Sequence, residues 1–182
     1  MSRGFVKEDD QEEAAFIPPR APLPDGMINY VTQRGLQLLT EERGSLEKER
    51  QQILDRSDLA DDERRRDLAV LNGKLDLLAD RIATAQLIEL ESDLKEVRFG
   101  TVVTFRHRTG VLKGKKFTFA LVGVDEADVK LGLIAFTAPI ARALIGKGTT
   151  EVAEFQLGEA LQQLEILQIA RYTAPSAPKY RG

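Results

Sequence analysis

The residues with the clearest chemical potential are the carboxylates of a short polar stretch, Asp55 to Asp67 (DRSDLADDERRRD). Asp58 and Asp61 are three positions apart and, around a turn, could share one metal ion. The alternative is structural. Ser57 or Asp58 would cap a following helix, and Asp61 and Asp62 would favour its positive N-terminus. From these residues alone, capping is the favoured interpretation.

The composition excludes several other kinds of chemistry. The 182 residues include no cysteine and one histidine, His107, and the net charge is -3. Disulfides, thiol nucleophiles, thiolate metal sites and multi-histidine metal sites are therefore excluded, and the near-neutral charge argues against wrapping of duplex DNA. No apolar run approaches the ~18 residues of a membrane span, and the N-terminus is too acidic for a signal peptide. We expect a cytoplasmic protein with no membrane partner.

Leucine-rich segments on both sides of the polar stretch predict the helices that position it. Their apolar residues keep heptad spacing, which buries a narrow stripe of each helix against a partner. Helix 1 is expected to begin after an N-cap at Thr32 and to end near Leu54, and helix 2 to run from about Leu59 to Leu90, a rod of about 45 Å. The polar stretch would be the tip of an antiparallel hairpin. The heptad positions are Leu36, Leu39, Arg43, Leu46, Arg50 and Ile53 in helix 1, and Leu68, Leu71, Leu75, Leu78, Ile82 and Ala85 in helix 2.

After Ser92 the pattern changes to that of short strands rich in Val, Phe and Thr. Five strands and one short helix are predicted, which together indicate an antiparallel sheet and an α+β fold. The expected organisation is an extended or disordered extension (1–28), a coiled-coil hairpin (29–92), a sheet domain (97–172) and a flexible tail (173–182). The extension is interpreted as a solvated tail, with docking through Phe16 and Ile17 as the alternative. The strands are predicted at Thr101–His107, Lys116–Gly123, Leu133–Thr137, Glu151–Leu157 and Leu164–Ala170, and the helix begins at Pro139 and is closed by Gly146.

Three stretches of the chain resemble the Gre-factor family of bacterial transcription elongation factors. Tyr30–Leu36 (YVTQRGL) is similar to the family's opening of the hairpin, and Ala85–Ile88 (AQLI) to its exit. The most specific stretch is Val122–Lys147 (VGVDEADVKLGLIAFTAPIARALIGK), which matches the family pattern in length and spacing. The resemblance covers roughly Tyr30 to Arg171.

The resemblance implies a fold and a partner. Gre factors have an N-terminal coiled coil and a C-terminal domain of FKBP-like fold, which docks on the rim of the secondary channel of RNA polymerase. The rim contacts would fall on the segment at the start of the short helix, at Thr137, Ala138, Pro139 and Arg142. Arg142 is alternatively expected to be an internal brace for Asp125 or Asp128. The chain would bind no cofactor of its own, would not itself be an enzyme, and is expected to be a monomer.

The resemblance also gives the acidic tip a role. In the family, tip carboxylates help to hold a second Mg²⁺ of the polymerase and a water, and the polymerase then cleaves the 3′ end of its backtracked RNA. Here Asp58 stands at the position of the tip aspartate and Asp61 at that of the glutamate, with Asp62 as a further candidate. Mg²⁺ takes oxygen ligands and is often held by one or two carboxylates, and two-metal hydrolysis needs no cysteine or histidine.

Departures from the family pattern leave two alternatives open. The hairpin is short by an estimated one to two turns per helix, a loss of roughly 5–10 Å of reach, the run Arg64–Arg66 adds positive charge, and Ala138 replaces a serine. The second hypothesis is therefore a non-cleaving regulator that occupies the channel. A third, a prolyl isomerase, follows from the FKBP-like fold alone and would need an open pocket lined by aromatic side chains.

Overall fold

The computed structural model describes residues 15–89 and 94–174. Its first half is an antiparallel pair of helices, α1 (Gln33–Asp55) and α2 (Asp61–Ala83), joined by a five-residue loop at 56–60. Each helix has 23 residues, which at 1.5 Å per residue is about 35 Å. The polar stretch thus lies at the far end of a hairpin, as predicted. Among the described residues, no helix has the length and apolar character needed to cross a membrane.

The hairpin is held together by the predicted heptad seam. Leu39, Leu71 and Leu78 are 1%, 3% and 0% exposed, and the remaining apolar seam positions are half-buried. At the base, the Thr32 hydroxyl accepts a hydrogen bond from the backbone N–H of Gly35 at 2.9 Å, which confirms the predicted N-cap. The interleaved leucines therefore supply the packing of the hairpin.

Helix α2 ends seven residues before the predicted end at Leu90. Asn29 donates hydrogen bonds to the backbone C=O of Arg81 at 2.8 Å and to the Thr84 hydroxyl at 3.2 Å, which satisfies a carbonyl left free at the helix end. The chain then pairs as a strand. β1 (Asn29–Val31) and β2 (Ala85–Leu87) form a parallel two-stranded sheet, so the hairpin is closed at its base by backbone hydrogen bonds rather than by more helix.

The second half is a five-stranded sheet with one short helix, α3 (Pro139–Leu144), that packs against it. The α+β class with an N-terminal hairpin is confirmed. The sheet is mixed rather than wholly antiparallel, because β5 follows a 3-10 turn and pairs parallel to β4. The spatial order is β5-β4-β3-β7-β6. The strands are β3 (Thr101–His107), β4 (Lys116–Val122), β5 (Leu133–Ala135), β6 (Val152–Leu157) and β7 (Ala160–Arg171).

The base of the hairpin packs directly on the sheet through aromatic rings. Tyr30 lies 5.6 Å from Phe99 and 5.7 Å from Phe136, measured between ring centroids. The backbone of Gly123 approaches the carbonyl of Tyr30 so closely that a Cβ would lie 2.8 Å from that oxygen. Only glycine permits this approach without movement of the backbone. The hairpin therefore projects from a close contact with the sheet domain.

Candidate functional site

The tip loop is packed through Leu59 and tied to α2 through Arg64. Leu59 is 8% exposed and holds the middle of the loop against the hairpin. The guanidinium of Arg64 donates to the backbone C=O of Arg56 at 2.5 Å, which satisfies a carbonyl at the end of α1. Helix α2 starts after Ala60, whose methyl group cannot accept a hydrogen bond. The expectation that Ser57 or Asp58 caps this helix is therefore wrong.

The three candidate metal ligands lie exposed at the tip. The side chains of Asp58, Asp61 and Asp62 are 69%, 95% and 78% exposed. Asp61 and Asp62 occupy the first turn of α2, where their charge favours the helix N-terminus. A hairpin that entered a cleft in another molecule would present these carboxylates first.

Each of the three carboxylates lies beside an arginine. Arg56 donates two hydrogen bonds to Asp58, at 3.1 and 2.9 Å, and these hold the pKa of Asp58 below its ordinary value. Arg64 lies 3.8 Å from Asp61. Asp62 accepts a short hydrogen bond from Arg65. The tip therefore carries its own counter-ions.

The tip offers carboxylate oxygens as possible metal ligands. Mg²⁺ prefers oxygen ligands in octahedral geometry, and carboxylate oxygens are available here. Within residues 15–89 and 94–174, no three acidic or histidine side chains come together in a group that could hold a metal ion. The tip could contribute one or two oxygens to an ion held mainly by another molecule.

The second candidate surface is the start of α3. Pro139 opens the helix, and Ala138 occupies the N-cap position and packs partly against the core. Pro139 and Arg142 are exposed, and Thr137 is half-buried. Because Phe136 just before them packs on the hairpin base, this surface lies beside the base and opposite to the acidic tip.

The expected brace between Arg142 and Asp125 is wrong. Asp125 instead accepts hydrogen bonds from Arg20 at 2.8 Å and from Arg81 at 2.6 Å. The other candidate partner, Asp128, accepts a hydrogen bond from the backbone N–H of Lys130 and so caps the 3-10 turn. Both aspartates lie in the motif at residues 122–128, but only the fold shows which groups donate hydrogen bonds to them.

Sequence reasoning also missed a buried carboxylate at the joint between hairpin and sheet. Glu126 is 4% exposed. It accepts a hydrogen bond from the Thr32 hydroxyl at 2.5 Å and one from the Tyr172 hydroxyl at 3.0 Å. Burial next to this carboxylate raises the pKa of Tyr172 to about 12. One side chain thus connects the N-cap of α1 to the end of β7.

The phenylalanines of the second half belong to its core. Phe99, Phe105 and Phe136 are at most 8% exposed, and Phe117, Phe119 and Phe155 pack against the buried cluster. The rings therefore lie in the core or pack against it, an arrangement that does not support the isomerase hypothesis.

The comparison with known families identifies the second half of the chain. Residues 91–171 match a family model described as "Transcription elongation factor, GreA/GreB, C-term". This part of the chain is therefore similar to the C-terminal domain of the GreA/GreB factors. Among curated relatives, a transcription elongation factor GreA of Legionella pneumophila is 35% identical over 99 residues, covering 53% of this chain and 60% of its own length. That of Hyphomonas neptunium is 37% identical over 100 residues, covering 54% of this chain and 62% of its own length. The chain thus matches about three-fifths of the length of these Gre factors.

Two solved structures show a partial likeness to this chain. GreA factor homolog 1 of Thermus thermophilus is 20% identical, with a TM-score of 0.35, and the match covers 79% of this chain and 99% of that one. A GreA/GreB elongation factor from Nitrosomonas europaea is 17% identical, with a TM-score of 0.37, and covers 79% and 98% of the two chains.

Proposed function

We propose that this protein is a Gre-type transcription elongation factor that binds RNA polymerase and modulates elongation with its hairpin. The sheet domain would dock at the rim of the secondary channel through Thr137, Ala138, Pro139 and Arg142. The hairpin would enter the channel and carry its tip towards the polymerase active site. The protein would act as an accessory factor and would not itself be an enzyme.

The observation that carries this proposal is the position of the acids. Asp58, Asp61 and Asp62 are exposed at the end of a hairpin about 35 Å long, and the proposed docking surface lies beside its base. The first mechanism is therefore stimulated cleavage of backtracked RNA, in which the tip supplies carboxylate oxygens to a Mg²⁺ held by the polymerase. A second metal ion would orient and activate the attacking water.

The ion pairs at the tip favour a second candidate, regulation by occupancy. Arginines beside all three carboxylates reduce the negative charge offered to a cation. The hairpin is also estimated to be shorter than that of the family. This favours occupancy as well, because a metal ligand displaced by ~1 Å loses much of its effect. In this mechanism the hairpin fills the channel and blocks traffic through it without cleavage.

A cleavage assay separates the two mechanisms. A polymerase is stalled in a backtracked complex with 3′-labelled RNA, the protein is added with Mg²⁺, and short released fragments are measured. The Asp58→Ala, Asp61→Ala double variant is run beside the wild type. Fragments from the wild type and none from the variant would support the tip carboxylates as ligands.

The same assay includes a test of occupancy. If neither protein releases fragments but both compete with a cleavage-active Gre factor for the polymerase, the occupancy mechanism holds. A Pro139→Asp, Arg142→Glu variant tests the docking surface, and we expect it to lose competition while its tip stays intact. Absence of both cleavage and competition by the wild type would refute the proposed function.

A further inference from the structure

The segment from Ile17 to Leu23 crosses the hairpin and reaches the sheet domain, and we name it the strap. It contains the proline-rich sequence IPPRAPL, without helix or strand. Prolines fix φ and favour an extended chain. The strap therefore loses little conformational entropy when it adopts one extended conformation across a surface. The family resemblance begins only at Tyr30, so the strap lies outside it.

One end of the strap sits on a gap in helix α2. Gly73 leaves a space without a side chain, and Ile17 fills it. A Cβ built at Gly73 would fall 2.1 Å from Cδ1 of Ile17 and 2.8 Å from its Cγ1. Glycine lowers the stability of a helix interior. The packing of Ile17 explains its presence here, because Ile17 occupies the space that a side chain at position 73 would need.

The middle of the strap ties three elements together through charge. The guanidinium of Arg20 donates to Glu42 of α1 at 2.8 and 2.9 Å, and to Asp125 at 2.8 Å. Arg81 of α2 donates to the same Asp125 at 2.6 Å and to the backbone C=O of Ala21 at 2.6 Å. The side chains of Arg20, Arg81 and Asp125 are 16%, 11% and 9% exposed, so water screens this network far less than it screens the ion pairs at the tip.

The last residue of the strap joins the aromatic contact at the hairpin base. Leu23 packs against the cluster formed by Phe99, Val124 and Phe136, which also holds Tyr30. From one end to the other, the strap thus contacts both helices of the hairpin, the loop that follows β4, and the core beneath that loop.

We infer that Arg20 and Asp125 are positioning residues, and that the strap fixes the angle between hairpin and sheet and so sets where the tip points. Without the strap, the hairpin is joined to the sheet domain by the Arg81–Asp125 ion pair and by the contacts around Tyr30 and Glu126, all of them close to the pivot. A small rotation there moves a tip about 35 Å away by several ångströms. The consequence for polymerase rests on the proposed function, whereas the effect on the angle does not.

The angle can be measured in the free, full-length protein. The chain has no native cysteine, so Ser57→Cys at the tip and Val111→Cys in the β3–β4 turn place two spin labels at exposed positions. Electron–electron double resonance then gives the distance distribution between them. We expect one narrow distance in the otherwise unchanged chain and, with Arg20→Ala, a distribution roughly twice as wide, because the loosened joint samples several orientations.

Two further variants separate the strap from general destabilisation. Gly73→Ala should strengthen α2 as a helix while expelling Ile17, so the helical circular dichroism signal stays and the distribution still widens. Arg43→Ala is the matched control, since it removes an exposed ion pair with Glu47 that lies within α1; its distribution should stay narrow.

The outcomes distinguish the strap from the proposed function. A narrow distribution in both Arg20→Ala and Gly73→Ala overturns the inference, whatever the polymerase assay gives. An equal widening in Arg43→Ala overturns it as well, because the effect would then be unspecific. If the distribution widens as expected but the wild type neither cleaves nor competes at the polymerase, the strap stands and the proposed function fails.

Discussion

Buried polar side chains decide how the hairpin meets the sheet. Glu126 is almost fully buried, and two hydroxyl groups satisfy its oxygens. A buried carboxylate that loses a donor retains its full desolvation penalty. The Thr32 hydroxyl serves both as the cap of α1 and as a donor to Glu126, so two elements depend on one oxygen.

Thr32→Ala should therefore destabilise the protein more than an ordinary loss of a helix cap. Loss of the cap alone costs roughly 1 kcal/mol. Loss of the hydrogen bond to the buried Glu126 carboxylate adds a similar amount, so we expect a total loss of about 2 kcal/mol. Urea unfolding followed by circular dichroism measures this loss. Thr32→Ser keeps the hydroxyl and should retain most of the stability. Equal losses in the two variants would show that the methyl group, not the hydroxyl, carries the effect.

Tyr172 gives the same joint a dependence on alkaline pH. Its pKa is raised from 10.0 to about 12 by burial beside Glu126. A group whose folded pKa is raised contributes stability that is fully present below its unfolded pKa and is lost as pH rises through the folded value. The stability advantage of the wild type over Tyr172→Phe should therefore shrink between pH 10 and pH 12. Denaturant unfolding of both proteins over this range tests it, and a constant difference would contradict the pKa shift.

At the scale of elements, the three glycines in the two long helices differ in what surrounds them. A Cβ at Gly44 would meet nothing within 4 Å, whereas one at Gly35 would lie 3.1 Å from Oε2 of Glu126, and one at Gly73 would collide with Ile17. All three lower helix propensity by a similar amount. The structure thus gives a packing reason for two of them.

Gly44→Ala should stabilise the protein by roughly 1 kcal/mol, because alanine is the better helix former and the added methyl group meets open space. Gly35→Ala provides the contrast, since the same gain is opposed by contact with a carboxylate that cannot move freely. Thermal unfolding of the two variants measures the difference. A gain in Gly35→Ala as large as that in Gly44→Ala would mean that Glu126 shifts at little cost.

Local patterns predicted the elements well, and long-range contacts explain the departures. The heptad leucines and Thr32 placed the hairpin and its start, because those signals lie within one helix. The end of α2 depends on Asn29, more than 50 positions earlier, and the parallel strand β5 depends on its pairing with β4. Spacing and resemblance make the tip acids candidate ligands, and the fold places them exposed at the end of the hairpin. Their arginine partners and the partners of Asp125 could not be chosen among many arginines without the fold.

At the scale of the whole molecule, the hairpin separates an acidic tip from the proposed docking surface beside its base. The effect of the hairpin on elongation could then depend on how strongly its tip carboxylates attract a metal ion. Exposed ion pairs contribute little individually, because water and salt screen them. The tip arginines should therefore reduce, but not abolish, the attraction of the tip carboxylates for a metal ion.

Removing Arg56 should consequently raise the ability of the tip to recruit Mg²⁺. In the backtracked-complex assay at limiting Mg²⁺, we expect Arg56→Ala to increase the cleavage rate by about two- to fivefold, the range set by a single exposed ion pair. The gain in cleavage rate should disappear at saturating Mg²⁺, because Mg²⁺ then outcompetes Arg56 for Asp58. Arg66→Ala is the matched control, because it removes the same charge from the neighbouring arginine run. A fall in rate in both variants would show instead that the arginines attract the RNA backbone, and that tip charge aids binding rather than opposing the metal.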